Sequence, residues 1–216
     1  MNKEWSEKNK KMQSLIGKEA TFREGIGVLI ELRDDLFGQI TSIVNTYPQE
    51  AFYQMPFAKA EGYHSKTLAY SMWHIFRIED IVAHTVIMQD RQVLFDEDFL
   101  DRTGSPIITT GNELKGEDIA SFSKKLDIKA VYEYCTAVKN STDEMLKNLV
   151  YRDLKSKFTD EDKKRVADSH SVSTDEDAAW LIDYWCNKDI AGLIKMPFSR
   201  HWIMHIEAMC RIKSKL

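Results

Sequence analysis

Apolar residues recur at three- and four-residue intervals along most of this chain, the spacing that lines one face of an α-helix. Over 21–47, Ile26, Leu29, Ile30, Leu36, Phe37, Ile40, Ile43 and Val44 mark a long helix. It stops near Tyr47-Pro48, because proline disfavours helical geometry in its predecessor. Ser65 can cap a second long helix over 65–90. Its apolar residues, among them Leu68, Tyr70, Trp73, Phe76, Ile78, Ile81, Val82 and Val86, wrap more than one face and predict deep burial. A short helix is expected over 116–125 and a third long one over 127–149, with Val131, Tyr134, Cys135, Val138, Met145 and Leu149. Thr174 is placed to cap an apolar helix that carries Ala178, Trp180, Leu181, Tyr184 and Trp185 and ends at the Gly192 break. A final helix starts near Pro197, proline being suited to a first turn, and runs to about Lys213. Ahead of these, residues 1–19 place Trp5, Met12, Leu15 and Ile16 among lysines and glutamates, an amphipathic arm preceding a single domain over 20–216.

The breakers gather between these segments. Gly104, Pro106, Gly111 and Gly116 surround Ile107-Ile108-Thr109-Thr110 in a long connection, and so short a β-branched run is poor grounds for a sheet. The 150–174 segment is heavily charged, and its Asp160-Glu161-Asp162-Lys163-Lys164-Arg165 run reads as a solvated helix face. Four long helices with long connections predict an all-α fold, a helical bundle with extra short helices in the connections.

Composition narrows the function classes. The 216 residues are 43% hydrophobic and 30% charged, with 9 Gly and 4 Pro, which excludes disordered and low-complexity architectures. Lys+Arg 30 against Asp+Glu 34 leaves a formal net charge of -4, so no overall positive field draws a nucleic-acid backbone. No apolar stretch is long enough to span a membrane, and the opening Met1-Asn2-Lys3-Glu4-Trp5 lacks the apolar core of a signal peptide. Cys135, Cys186 and Cys210 are odd in number and widely spread, the usage expected in a reducing cytoplasm.

The chemistry concentrates in the last helix. His201 and His205, four apart, project from one side, whereas Arg200, Glu207 and Arg211 define the other; Phe198, Met209 and Ile212 join the histidines on the inward stripe. A buried imidazole without a partner is costly, so the pair needs hydrogen bonds or a ligand. His74, within the apolar Tyr70-Ser71-Met72-Trp73-His74-Ile75-Phe76 stretch, is a third candidate. Three neutral imidazoles from two helices can hold zinc or another divalent metal with a position open to water or substrate. The alternative is three histidines hydrogen-bonded in a core. His84 is expected at the surface or rim and His170 in solvent, and Glu61-Gly62-Tyr63-His64 is a poor match to a di-iron motif. Arg77, Glu79 and Asp80 read as structural, with a buried carboxylate supporting the site held open. Trp73, Trp180, Trp185 and Trp202 read as core anchors. Glycine-rich nucleotide loops, nucleophile elbows and zincin motifs are missing from the sequence.

Two of these segments together resemble the DinB-like (DinB/YfiT) superfamily. Ser71-Met72-Trp73-His74-Ile75-Phe76-Arg77-Ile78-Glu79-Asp80 is similar to its second-helix signature, and Pro197-Phe198-Ser199-Arg200-His201-Trp202-Ile203-Met204-His205 to its last-helix His-x-x-x-His motif. The resemblance implies an up-up-down-down four-helix bundle, commonly a homodimer, with a divalent metal (Zn, Ni, Fe or Mn) on His74, His201 and His205. It further implies a cytoplasmic enzyme acting on a small-molecule substrate, with no nucleic acid and no membrane as partner. Characterised relatives include transferases and isomerases that use a low-molecular-weight thiol such as bacillithiol or mycothiol as co-substrate. The expected activity is transfer of such a thiol to an electrophile, or hydrolysis at the same site. The alternative is a non-catalytic ligand-binding or stress-associated interaction protein whose metal is structural or absent. The long connection after the second helix and the charged 150–174 segment exceed the family pattern and leave the roof of the pocket undefined.

Overall fold

A computed structural model describes residues 2–216, and among these the regular structure is all helical, the only β pairing being an isolated bridge between Lys157 and Asp189. The helices are α1 (Lys3–Ile16), α2 (Phe22–Thr46), α3 (Leu68–Asp80), α4 (Phe99–Thr103), α5 (Glu117–Lys125), α6 (Ile128–Asn148), α7 (Asp160–Asp168), α8 (Glu176–Cys186), α9 (Ile190–Lys195) and α10 (His201–Lys213). Two π-helical segments adjoin the histidine-bearing helices: Ile81–Met88 continues α3, and Met196–Arg200 joins α9 to α10. The expected 65–90 and 197–213 helices are therefore each part α and part π. Pro197 does lie in a first turn, that of the π segment.

Side-chain caps set several starts. Asn2 Oδ1 accepts from the Glu4 and Trp5 amides, Asp127 from Ala130 N, and Asp189 from Gly192 N. The cap of α3 is Thr67, whose Oγ1 accepts from Tyr70 N at 3.0 Å, and not Ser65, because Gly62–His64 first makes a tight 3₁₀ turn and Ser65 Oγ bonds back to the Gly62 carbonyl. Likewise Asp175 caps α8 in place of Thr174.

Helix α3 lies at the centre and is buried around its whole circumference, packed by α6 and α10, while α2 lies against α6 and α10. α1 runs along α2, burying Trp5, Met12 and Ile16. The apolar side chains form two clusters. One gathers Leu32, Leu36, Phe76, Val138 and Trp202; the other Leu29, Ile78, Met145, Trp185 and Phe198. In every one of α2, α3 and α6 the change from one cluster to the other falls beside a buried charge: Arg33, Glu79 and Asp143. Arg33 grips Glu79 through both terminal nitrogens, at 2.9 and 2.7 Å, and reaches Asp143 through Nε at 2.6 Å. Trp202 Nε1 donates to Glu79 Oε2 at 2.7 Å, which ties α10 into the same network. Lys139 adds ion pairs to Asp143 and Asp34. Buried charges are tolerated when, as here, each is matched and hydrogen-bonded.

The connection after the second helix is a strap on α3. Four successive backbone carbonyls, of Ile108, Thr109, Thr110 and Gly111, accept from the side chains of Arg77, Trp73, His74 and Tyr70 in turn. Asp80 anchors the strap's beginning by accepting from the Val93 and Leu94 amides, and is itself held by Arg77 and Tyr134. Gly111 has φ +77°, a conformation that favours glycine, and a Cβ there would stand 3.1 Å from the Tyr70 ring, which would have to give by a few tenths of an ångström.

The structure corrects three further expectations. Gly192 lies inside α9, and the break comes after Cys186, at the end of α8. His84 is buried rather than at the surface, with Nδ1 against Asp90 Oδ1 at 2.7 Å and Nε2 against Ser141 Oγ at 3.0 Å; the π segment turns it towards α6. Trp180 is 50% exposed, so it is no core anchor, unlike Trp73, Trp185 and Trp202. The charged α7 face is largely solvated, apart from Asp162, which is buried while it closes a capping box with Thr159.

Candidate metal centre

His74 reaches the interior because no side of α3 is exposed, and His201 and His205 do so because Arg200 and Arg211 take the solvent side of α10. All three imidazoles are buried, and one ligand nitrogen from each falls within 4.8 Å of the others. His74 Nε2 and His201 Nε2 stand 3.3 Å apart. Two nitrogens bound at about 2.0–2.1 Å to one tetrahedral ion are separated by roughly the same distance.

The hydrogen bonding fixes which atoms face inward. The Thr110 carbonyl can only accept, so His74 carries its proton on Nδ1 and turns a lone pair on Nε2 towards the other two rings. This is the arrangement in which a backbone carbonyl orients a metal-ligating histidine. His201 Nδ1 and both ring nitrogens of His205 are buried without a hydrogen-bond partner. Each such atom costs about 1–3 kcal/mol when nothing satisfies it, and an ion held by one nitrogen of each ring would relieve one of the two on His205. The donor set, three imidazoles and no thiolate, fits a divalent metal of the zinc, nickel or iron kind.

Electrostatics keep the rings in the ligating form. Burial pushes the His74 pKa down to about 4, with the Thr110 carbonyl opposing and the Lys66 ammonium reinforcing the shift. Burial also holds His201 and His205 well below the ordinary imidazole range, and the neighbouring rings add to it. All three are neutral at neutral pH, as coordination requires. Tyr70 stacks on His74 at 5.4 Å between ring centres, and Tyr63 meets His205 edge-on at 4.7 Å.

The triad forms one wall of a cavity of about 210 Å³. Tyr63, Trp180, Tyr184 and Trp185 supply its aromatic walls, Ile78, Leu181, Met196 and Pro197 its aliphatic ones, and Asn112 its amide. Among the described residues that line it, none is charged and none is a cysteine. Burial raises the thiol pKa of Cys135 well above its usual value and that of Cys186 to about 11, so these thiols stay protonated. His64, His84 and His170 do not join the cluster. The sequence had also left Thr110, Arg33 and Asp143 unmarked. Arg33 was detectable as a charge standing within the apolar stripe of Leu29, Leu32, Leu36 and Ile40; Thr110 acts through its backbone and carried no side-chain signal.

Among the described residues no helix is long and apolar enough to cross a membrane. No family model and no curated protein matches the chain.

Proposed function

We propose that the chain is a divalent-metal-dependent enzyme of the DinB-like superfamily, an up-up-down-down bundle that transfers a low-molecular-weight thiol to an electrophilic small molecule. The carrying observation is the cluster of three buried imidazoles, one nitrogen of each within 4.8 Å of the others, on the wall of a largely apolar cavity. His74 Nε2 with one nitrogen each of His201 and His205 would hold the metal, zinc, nickel, iron or manganese. Bound there, a divalent ion supplies Lewis acidity, lowering the pKa of a thiol or of water.

The chain's own residues orient and exclude. Thr110 holds the His74 ring, and Tyr63 and Tyr70 brace the rings of His205 and His74. The apolar walls keep bulk water from the reacting groups, which strengthens every charge interaction inside. Because no cysteine lines the cavity, the thiol comes from a bound molecule and not from the protein. Hydrolysis is the same site with water as the nucleophile.

Elemental analysis of tag-free protein tests the proposal, with wild type beside His74→Ala and His201→Ala. Near one equivalent of a divalent metal in the wild type, lost in both variants, together with metal-dependent turnover when thiols are screened against electrophiles, is the expected result. Wild-type protein that takes up no metal even after reconstitution would overturn it and leave a cavity that binds ligands without chemistry.

A further inference from the structure

The cavity beside the triad has a size and a lining that restrict what enters it. An apolar cavity of about 150 Å³ takes one benzene ring, and this one measures about 210 Å³. Its inner part therefore has room for a single ring with one small substituent, and a sugar-bearing thiol would have to extend out through the mouth. Its walls carry no charged side chain, so away from the triad a carboxylate or ammonium placed inside would lose its hydration without gaining a partner. The Lys66 ammonium lies behind the triad, 4.9 Å from the centre of the Tyr70 ring, and does not line the cavity.

The mouth adds a second constraint. Trp180 is 50% and Tyr63 38% exposed, unusual for large aromatics, and both line the cavity. Tyr184 packs edge-on against Trp180 at 5.3 Å, and the Trp180 indole N–H is already bound to the Asp177 carbonyl. The face of the indole is thus set in place while its polar atom is occupied. A fixed aromatic face at the entrance favours a flat apolar partner through stacking.

We infer that the molecule held in this cavity is an uncharged, single-ring aromatic, its ring packed against Trp180 and Trp185 and its one polar substituent directed at the triad. Trp180 is the specificity residue for that ring. A larger charged thiol would meet it from outside the mouth. This rests on the cavity being the substrate site of the proposed enzyme, but its test needs no metal.

The experiment titrates full-length, chelator-treated protein with p-cresol, 4-hydroxybenzoate and tyramine, which share a phenol and differ in the charge of the remote group. Binding is followed at the indole N–H resonance of Trp185. The expected result is saturable p-cresol binding at least tenfold tighter than either charged probe, weakened at least fivefold in Trp180→Ala, whose half-exposed side chain can be removed without unfolding the core. An equal or tighter grip on 4-hydroxybenzoate or tyramine, no saturable p-cresol binding, or unchanged affinity in Trp180→Ala would overturn the inference. Metal analysis of the same protein before chelator treatment reports separately on the triad, so either result can fail alone.

Discussion

The Thr110 carbonyl oxygen lies 2.8 Å from His74 Nδ1, and this one bond decides which nitrogen of the ring faces His201 and His205. Thr110 stands 36 residues after His74 in the chain and belongs to a connection with no regular structure of its own there. The geometry of the triad is therefore controlled as much by the strap as by the two helices that carry the rings.

Gly111→Ala should expose that control. Alanine at φ +77° costs about 1–2 kcal/mol from backbone strain alone, and its Cβ would press on Tyr70, which stacks on His74. The expected outcome is a loss of stability of that order in urea denaturation, together with weaker metal binding in a competition assay. Full metal affinity in a destabilised variant would show that the strap does not position the ring.

Metal addition should stabilise the folded chain by linkage. With free zinc at about a thousandfold excess over its dissociation constant, the gain is about 4 kcal/mol. His205→Ala should abolish the gain, as seen by thermal unfolding with and without zinc. A gain of equal size in the variant would locate the ion elsewhere.

The metal-free protein should lose stability on mild acidification. A histidine whose folded pKa is depressed takes up its proton more readily when unfolded, so its contribution is present above about pH 6.5 and lost as pH falls towards the folded value. For His74, with a folded value of about 4, the loss amounts to about 3 kcal/mol across that window. His201 and His205 act in the same direction. Urea midpoints measured in chelator between pH 7 and pH 5 should fall in the wild type and fall less steeply in His205→Gln; parallel slopes would mean that this ring is not desolvated.

Removing Glu79 should be among the most damaging single changes. Glu79→Ala leaves the two terminal nitrogens of the buried Arg33 without their carboxylate, only Asp143 still pairing through Nε, and frees the Trp202 indole, at a cost of about 3–5 kcal/mol. Trp202→Phe keeps the Arg33–Glu79 pair but deletes the hydrogen bond to the carboxylate, together with buried indole volume and part of the contact with Arg33, 4.4 Å from the ring centre, and should cost about 1.5–3 kcal/mol. Equilibrium denaturation of both variants gives the comparison, and near-equal losses would mean that the Arg33 pair matters little.

The helices were legible because apolar residues such as Leu29, Leu36, Ile40 and Ile43 repeat with the period of a helix and their breaks fall at Pro48, Gly104 and Gly116. The three histidines were legible for the same reason: inward direction on a helix is a matter of counting. Counting failed where the period itself changes, at His84 on the π segment. It failed again at Trp180, whose helix is apolar on a side that the cavity mouth leaves open. The strap was illegible because carbonyl oxygens do the holding, and every residue has one. Spacing could place Arg77, Trp73 and His74 on α3 but not name the atoms they bond.

The five-residue π turn Met196–Arg200 stands directly ahead of His201. Such a turn accommodates one residue more than an α-helical turn, the trace that a single-residue insertion leaves in a helix. Taking one residue out of it would close the turn to regular α-helical winding and, because the wide turn already absorbs that residue, would leave both imidazoles of α10 facing His74. Adding or removing a residue within the regular winding of α10, between His201 and His205, would instead rotate the second ring by about 100° away from the first. The approach to the triad is thus tolerant of a change in length at the one turn where the helix is already wide.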